Sequence, residues 1–293
     1  IIPTDQKKAR VSWKKEDFSL TKEDWKNYHA KAQIALRLDK HIDLDVDNYV
    51  VGRFINHYLK SCGATYGRRN NPKSHYLWTG SCDFIQYTLP DVFKSYFEKF
   101  HHGATLCELR HGKERYTIVP ESPYDNTGEK VEWETYEEIY EYNGNIKIDV
   151  GKIALSTALT ILYAGSGHRD VYCTAIAGTL IKNTDWSAEQ IDDFVYNIAI
   201  EANDTEAEKR KQKGTTGKKA EKIYGIPKLA EILNVDSKHI SKLFSWVGVT
   251  NNKEVLQEQI GEITEYGSDR YFIKIYAMED GKKVEKDITL EGL

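Results

Sequence analysis

The segment HIDLDVDN, residues 41–48, decides how the first half of the chain folds. It places Asp43, Asp45 and Asp47 at alternate positions, with one apolar residue between each pair. Strict alternation of polar and apolar residues predicts a β-strand, in which side chains two positions apart share one face. The three carboxylates are therefore expected on one face of a strand, and the apolar residues between them are expected in a core.

A row of like charges on one face of a strand is unfavourable, because the carboxylates repel one another. A divalent cation would remove this repulsion, and carboxylate oxygens are ligands that Mg²⁺ and Mn²⁺ favour. A solvent-exposed edge strand with acidic side chains explains the same pattern equally well. The segment alone leaves a metal site and an acidic edge strand as alternatives.

Helices and strands are predicted on both sides of this segment. The stretch from Thr21 to Leu38 predicts a helix with Thr21 as its N-cap, and residues 48–63 predict another that stops at Gly63. Further strands are predicted at residues 75–80, 104–110, 115–120 and 129–133, with a helix at 91–103. His111-Gly112 is expected to form a turn between two of these strands.

The character of the sequence changes at about residue 145, after which apolar stretches predict helices. One of them, residues 187–202, opens with Ser187 and Gln190 in the spacing of a capping box. Residues 208–222 are basic and predict either a solvated linker or a phosphate-contacting loop.

Two short helical segments follow, and the end of the chain predicts a β-hairpin that turns at Asp280-Gly281. We therefore expect an α+β protein in three parts. They are a domain of strands and helices over residues 1–145, a helical module over 146–247, and a hairpin or linker segment over 248–293.

Composition excludes some classes of protein. The 293 residues carry a net charge of −4, which argues against a uniformly basic surface but leaves local basic sites open. No run of about 18 apolar residues predicts a membrane-spanning helix. The four cysteines form no CxxC pair, which argues against a zinc ribbon and fits free thiols in a reducing cytoplasm.

A cationic segment follows the acidic strand in TYGRRNNPKSHYLW, residues 65–78. It carries Arg68, Arg69 and Lys73 on a predicted loop, followed by Ser74 and His75 at the start of a strand. Cations beside an acidic metal site suit a nucleoside triphosphate, since the metal bridges phosphate oxygens and the cations neutralise the rest. Taken alone, a histidine in this position is more often structural.

A further carboxylate, Glu108, lies among apolar residues in the predicted strand 104–110. A strand carboxylate there would complete a two-metal site, although a single Glu is usually a surface residue. The strand is followed by a turn, VPES, residues 119–122, and by a strand that ends in Trp133.

The order of these segments resembles the archaeo-eukaryotic primase (AEP) superfamily, and more narrowly the primase-polymerases of plasmids, viruses and mobile elements. The resemblance covers most of the chain up to about residue 247. It implies an AEP/RRM-like catalytic domain with mixed sheets flanked by helices, then a small helical bundle. In that family, the residues matching Asp43, Asp45 and Glu108 hold divalent metals, and the residue matching His75 binds the phosphates of the incoming nucleotide.

Asp47 makes the register of the acidic pair ambiguous between 43/45 and 45/47, and 43/45 is preferred because Ile42 and Val46 flank it as the family pattern requires. For such a reaction, further side chains near these residues are expected to contact the nucleotide. These are Arg68, Arg69, Lys73, Ser74, Arg110 and Ser122.

The segment GSGHRD, residues 165–170, is a candidate for a second nucleotide or template contact. His168 and Arg169 open a helix there, so backbone N–H groups and an arginine would converge on a phosphate. A helix-capping loop with a structural ion pair is an equally good explanation.

The sequence thus predicts a DNA primase/polymerase that copies single-stranded DNA by two-metal nucleotidyl transfer. It would use Mg²⁺ or Mn²⁺, dNTPs or NTPs, and a fused or separate helicase, in the cytoplasm of a prokaryotic or virus-infected cell. Two alternatives stay open. A helix-turn-helix at Leu229–Phe244 would indicate a replication initiator that binds DNA without polymerising, and the acidic residues alone also suit a metal-dependent nuclease.

Overall fold

A computed structural model describes residues 2–5, 8–9, 33–59, 62–98, 103–124, 128–220, 223–249, 260–265, 270–279 and 282–291. The fold is α+β. The chain forms two compact units, Ile1–Val247 and Gly248–Leu293. The boundary expected near residue 145 falls inside the first of these units.

The first unit contains a nine-stranded sheet. Its strands are β1 (Ile2–Asp5), β2 (Lys8–Ala9), β3 (Gln33–Val46), β4 (Ala64–Arg68), β5 (Asn71–Thr79), β6 (Ile85–Thr88), β7 (Thr105–Ile118), β8 (Pro123–Tyr124) and β9 (Glu129–Tyr136). They follow the order β2-β1-β3-β5-β4-β9-β8, with β7 beside β3 and β6 beside β7. The pairings between these described strands are antiparallel, which differs from the expected mixed sheets.

Strand β3 is central and contains the acidic segment, as the alternation predicts. Ile42, Leu44 and Val46 are buried on one of its faces. The predicted helix up to Leu38 is wrong for residues 33–38, which belong to β3, and residues 21–32 lie outside the described residues. Pairing of this segment with both β1 and β7 outweighs its local helix propensity.

Strand β7 runs through the position where a turn was expected. His111 and Gly112 lie inside this continuous 14-residue strand. Gly112 has φ +117, and the pairing with β3 shifts register beside it. The glycine therefore marks a bulge, and a bulge bends a strand without ending it. As a result β7 pairs with β3 near both ends, at Ala35 and at Val46.

The helices of the first unit are α1 (Tyr49–Tyr58), α2 (Lys94–Phe97), α3 (Ile146–Ile161), α4 (Arg169–Asn183), α5 (Ala188–Glu201), α6 (Ala207–Arg210), α7 (Lys213–Gly217), α8 (Ile226–Leu233) and α9 (Ser237–Ser245). Helix α1 begins directly after the acidic segment, where the Asn48 side chain accepts a hydrogen bond from Val50 N. The capping box predicted at Ser187 and Gln190 is confirmed, with reciprocal bonds of 2.8 and 3.2 Å.

The basic segment, residues 208–220, forms two short helices rather than an irregular linker, and although most of its side chains are exposed, Arg210 and Gly214 are buried. The carboxylate of Asp192 accepts hydrogen bonds from the Gly214 and Thr215 backbone N–H groups at 2.5 and 3.2 Å. Arg210 is buried among carboxylates. Asp192 and Asp170 lie on helices far along the chain from this segment, and a local charge pattern does not reveal them.

The helices pack against the sheet rather than forming a separate body. Helix α3 contacts both α1 and β7. The Tyr87 hydroxyl on β6 donates to the Lys147 carbonyl at 3.1 Å, and the Tyr87 ring meets Trp246 edge-on at 5.5 Å. The sheet and the helical bundle therefore share one core.

The second unit is a three-stranded antiparallel sheet of β10 (Ile260–Glu265), β11 (Arg270–Glu279) and β12 (Lys282–Glu291), with β11 in the middle. The turn predicted at Asp280-Gly281 lies outside the described residues. No helix in the described part of the chain is long and apolar enough to cross a membrane.

Candidate functional site

A row of polar side chains crosses five strands of the sheet. Asp45 on β3 is directly opposite His75 on β5 and Glu108 on β7. His75 is in turn opposite Tyr66 on β4, and Glu108 is opposite Gln86 on β6. Directly opposed residues of antiparallel strands project from the same face. The register thus brings together the acids and the histidine predicted from the sequence.

Asp43 is fully enclosed beside this row, with 0 % of its side chain exposed. Its Oδ1 lies 3.2 Å from His75 Nδ1, and its Oδ2 accepts a hydrogen bond from Arg110 Nη2 at 2.5 Å. Burial opposes ionisation, but the charges of Arg110 and His75 outweigh it and hold the pKa of Asp43 well below its usual range. Both carboxylate oxygens of Asp43 are engaged by protein side chains.

Arg110 links two of the three predicted metal ligands, Asp43 and Asp45. Besides Asp43, it contacts Asp45 Oδ2 through Nη1 at 3.0 Å and donates to Thr117 Oγ1 through Nη2 at 3.3 Å. Its Nε is buried and has no hydrogen-bond partner among the described residues. Burial alone would lower the pKa of Arg110. The charges of Asp43 and Asp45 raise this pKa by more than burial lowers it, so the guanidinium stays charged.

Tyr66 fixes the plane of the His75 ring. The two rings stack with centroids 4.7 Å apart and an interplanar angle of 12°. Tyr66 is fully buried, meets Trp133 edge-on at 5.4 Å, and shares a 2.7 Å hydrogen bond with the Thr117 hydroxyl. Burial and the charge of Asp43 raise the pKa of Tyr66 well above its usual value, so its hydroxyl stays neutral.

A cavity of about 330 Å³ opens over this row, within the size range of small-molecule sites. One end is polar, and the other is aromatic and apolar. The polar end is lined by Asp45, Asp47, Ser74, His75 and Arg110, and the other by Arg68, Tyr116, Ile118, Tyr124 and Val131. The Arg68 guanidinium lies 3.8 Å from the centre of the Tyr124 ring and 3.5 Å from Glu129.

Asp47, which the sequence leaves without a role, belongs to this site. Asp47 lines the cavity, and partial burial together with the charges of Asp45 and Glu108 raises the pKa of Asp47 to about 6. No three or more His, Cys, Asp or Glu side chains among the described residues are gathered into a ready-made ligand set. Glu108 Oε1 instead accepts a hydrogen bond from Gln86 Nε2 at 2.8 Å.

The acids of this region differ in how the protein engages them. Asp43 is fully enclosed and paired with His75 and Arg110, whereas Asp45 contacts the same two side chains at 3.7 and 3.0 Å but keeps 21 % of its side chain exposed. Asp45, Asp47 and Glu108 carry hard oxygen donors of the kind that a divalent cation accepts. The register of the acidic pair, 43/45 or 45/47, stays a prediction. Gln86 had no sequence signal, because only the register of β6 against β7 reveals it.

Three predicted nucleotide contacts lie away from the cavity. Arg69 is exposed in the turn between β4 and β5. Lys73, with φ +50, lines a different cavity. Ser122 is fully buried, and its hydroxyl accepts from Ile34 N at 2.8 Å and donates to Ile34 O at 3.2 Å. Ser122 thus ties the chain after β7 to β3.

His168 and Arg169 were candidates for a second nucleotide or template contact. In the structure Arg169 instead belongs to an internal network of ion pairs and hydrogen bonds. Arg169 donates to Asp204 Oδ1 at 3.1 Å, and Asp204 Oδ2 accepts from Tyr163 and Arg210 at 2.9 and 3.2 Å. His168 is exposed at the start of α4 and makes no side-chain cap. These contacts match the alternative of a capping loop with a structural ion pair.

Replacing Asp204 with asparagine is expected to flatten the acid side of the stability profile. Burial raises the pKa of Asp204, but hydrogen bonds from Glu206 N and Tyr163 and the Arg210 charge lower it more. Its contribution to stability is present above the unfolded pKa of about 3.9 and is lost as pH falls through the lower folded pKa. Urea denaturation from pH 7 to 2.5 measures this slope. Asp185→Asn, an exposed control, should leave the profile unchanged.

No family model, curated protein or solved structure matches this chain.

Proposed function

We propose that the protein is a metal-dependent nucleotidyltransferase, a DNA primase/polymerase related to the archaeo-eukaryotic primases. The observation that supports it most is the placement of Asp45 between His75 and Glu108 on adjacent strands, at the polar end of a nucleotide-sized cavity. An acidic group for a cation and basic groups for phosphates thus occupy the same face of one sheet.

Asp45, Asp47 and Glu108 would hold Mg²⁺ or Mn²⁺. When bound, the cation would supply charge stabilisation to the attacking 3′-oxygen and to the phosphate oxygens. Glu108 would exchange its hydrogen bond with Gln86 for this role. Asp43 has a different part, because its charge is already neutralised inside the protein.

His75 and Arg110 would orient the triphosphate. His75 Nδ1 lies 3.2 Å from Asp43 Oδ1 and 3.3 Å from Arg110 Nη2, and its Nε2 lies 3.7 Å from Asp45 Oδ1. Arg110 contributes an Nε–H that no described residue uses. Asp43 holds both groups at once, and the stacked Tyr66 ring prevents His75 from rotating.

The opposite end of the cavity suits the nucleoside. Ile118 and Val131 offer an apolar surface, and the Tyr124 ring with Arg68 above it gives planar groups on which a base can stack. The partners of such an enzyme would be a single-stranded DNA template, dNTPs or NTPs, and a helicase. Its setting would be replication of a plasmid, virus or mobile element in the cytoplasm of its host cell.

One assay separates this function from its alternatives. The full chain is incubated with Mg²⁺ or Mn²⁺, single-stranded DNA with and without a primer, and labelled nucleotides. We expect new or extended oligonucleotides that disappear with EDTA. Shortened template would instead indicate a nuclease, and template binding without any product would indicate an initiator. Either result would contradict the proposal.

Replacing His75 with asparagine is expected to raise the KM for nucleotide by about 10- to 100-fold, the worth of one charge-assisted hydrogen bond. The effect on kcat should be smaller, because the residue orients the triphosphate rather than holding the cation. Steady-state extension of a primed template measures both constants. His57→Asn, on the distant end of α1, is the matched control and should change neither. Equal effects of the two variants would remove His75 from the site.

A further inference from the structure

Helices α8 and α9 are joined by a short turn, Asn234-Val235-Asp236. Asn234 ends α8 in the left-handed conformation, with φ +52. The Asp236 side chain then opens α9 by accepting a hydrogen bond from Lys238 N at 2.9 Å. A turn of this length between two helices is typical of the helix-turn-helix motif, which the sequence offered as an alternative for residues 229–244.

One face of α9 is fixed on the helical bundle. Helix α8 packs on α4, and α9 packs on α8 and α3. The buried side chains of the pair are Leu229, Ala230, Leu233, Ile240, Leu243 and Phe244. Directly after α9, the Trp246 carbonyl lies so close to Gly151 of α3 that a Cβ at that glycine would overlap it. These contacts hold α9 firmly and leave its other face toward solvent.

The solvent face of α9 is basic and polar. Its residues, at i, i+3, i+4 and i+7, are Lys238, Ser241, Lys242 and Ser245. Both lysines and Ser245 are exposed, and Ser241 is half-buried. Lys238 lies 3.5 Å from Asp236 in a surface ion pair, which is worth less than about 1 kcal/mol. The chain contains 45 Asp and Glu residues, but α9 has none of them, so this face is positive in a protein of net charge −4.

These side chains favour duplex DNA over other partners. The major groove of B-DNA admits an α-helix, and lysine and serine hydrogen-bond to base edges there. A single strand would stack its bases on aromatic rings, but Phe244 is buried and the Trp246 ring meets Tyr87. Double-stranded RNA has a major groove too narrow for side chains. A protein partner would need an apolar centre, and the exposed residues of α9 are polar.

We propose that α8 and α9 form a helix-turn-helix that binds double-stranded DNA, with the solvent face of α9 in the major groove. The nine residues of α9 span about 13 Å, the length of about four base pairs. Lys238 and Lys242 would neutralise phosphates at the edges of the groove, and Ser241 would contact a base edge. This binding is independent of the proposed nucleotidyl transfer and would hold the protein on duplex DNA beside a strand to be copied.

The first test measures, by fluorescence anisotropy, the binding of the full chain to a mixed-sequence duplex of about two helical turns. EDTA is present and the salt concentration is varied. Each phosphate contact contributes about 0.9 to the slope of log affinity against log salt, so Lys238→Gln with Lys242→Gln should reduce this slope by about 1.8. Lys40→Gln with Lys94→Gln, at exposed positions outside α8 and α9, is the matched control and should leave the slope unchanged.

Two competitors identify other partners for the same face. These are single-stranded DNA of the same sequence and poly-L-glutamate, and neither should displace the duplex at equal concentration. Tighter binding of the single strand would indicate a template site, and equal competition by poly-L-glutamate would indicate an acidic protein partner. Either result would overturn the proposal, as would an unchanged slope in the double lysine variant or no duplex binding by the unaltered chain.

A second test asks whether α9 reads bases. Duplexes selected by the full chain from a random-sequence pool should share a motif. Ser241→Ala should weaken binding to the selected duplex by about tenfold, the worth of one base contact, without changing the salt slope. Ser81→Ala, at an exposed position outside α9, should bind it unchanged. A pool without a shared motif, or undiminished binding by a folded Ser241→Ala chain, would refute the placement of α9 in the major groove.

Discussion

Replacing Arg110 with methionine is expected to lower the free energy of unfolding by about 3–5 kcal/mol, the cost of leaving a buried charge without its partner. Asp43 is fully enclosed, and Arg110 supplies the larger of the two neighbouring charges that keep it ionised. Methionine fills a similar volume, so the loss measures charge rather than packing. Urea denaturation at pH 7 gives the value.

Two companion variants decide whether the charge is the cause. Arg115→Met, on the same strand, removes a cation that lies over the Phe84 ring and should cost no more than about 1 kcal/mol. Asp43→Leu combined with Arg110→Met removes both buried charges and should recover most of the stability. A double variant as unstable as Arg110→Met alone would contradict this explanation.

The free energy of unfolding of the Arg110→Met chain is also expected to depend on pH in a definite direction. The folded pKa of Asp43 lies below its unfolded value, so its stabilising contribution is present above about pH 4 and is lost as pH falls further. Without Arg110, burial dominates and raises the folded pKa of Asp43. The Arg110→Met chain should then gain stability relative to the unaltered chain as pH falls from 7 toward 4.

Replacing Asp45 with asparagine is expected to reduce nucleotidyl transfer by about 1,000-fold, since a lost metal ligand removes several kcal/mol of charge stabilisation. Asp45 lines the cavity, faces Glu108 across the strand pair, and has 21 % of its side chain exposed. Primer extension at saturating nucleotide measures the rate. Calorimetric titration with Mn²⁺, which does not depend on turnover, measures the cation site.

A comparison among Asp39, Asp43 and Asp45 of β3 and Asp47, which directly follows β3, tests the register of the acidic pair. Asp47→Asn should weaken Mn²⁺ binding as Asp45→Asn does, whereas Asp39→Asn, which removes a carboxylate paired with Arg37 on the same strand, should leave it unchanged. Asp43→Asn should act mainly on stability and on the KM for nucleotide, through His75 and Arg110. If Asp43→Asn abolishes Mn²⁺ binding in a folded chain while Asp47→Asn does not, the 43/45 register is the correct one.

The sequence contained enough information to place the centre of the sheet and several of its helices. Alternation located the acidic part of β3, helical spacing of apolar residues located α1, and a capping box located the start of α5. These features depend on residues within a few positions of one another. Local patterns of this kind are what single-sequence reasoning detects best.

The errors arose where distant residues decide the outcome. Residues 33–38 become a strand because β1 and β7 pair with them, and Gly112 becomes a bulge because β7 continues along β3. The sequence could not tell that Arg110, 67 positions from Asp43, would pair with both Asp43 and Asp45. That pairing depends on the register of β7 against β3, which no local pattern contains.

The separation of Asp43 and Arg110 along the chain also affects the order in which the sheet can fold during synthesis. During synthesis the segment with Asp43 leaves the ribosome before its counter-ion exists. At roughly 5–20 residues per second, the 67 intervening residues take about 3–13 s to appear. Over this interval Asp43 must stay hydrated or protonated, because burying an unpaired carboxylate is prohibitive. Closure of the sheet around β3 therefore waits for β7, and a nascent chain stalled before residue 110 exposes the apolar face of β3 to chaperones.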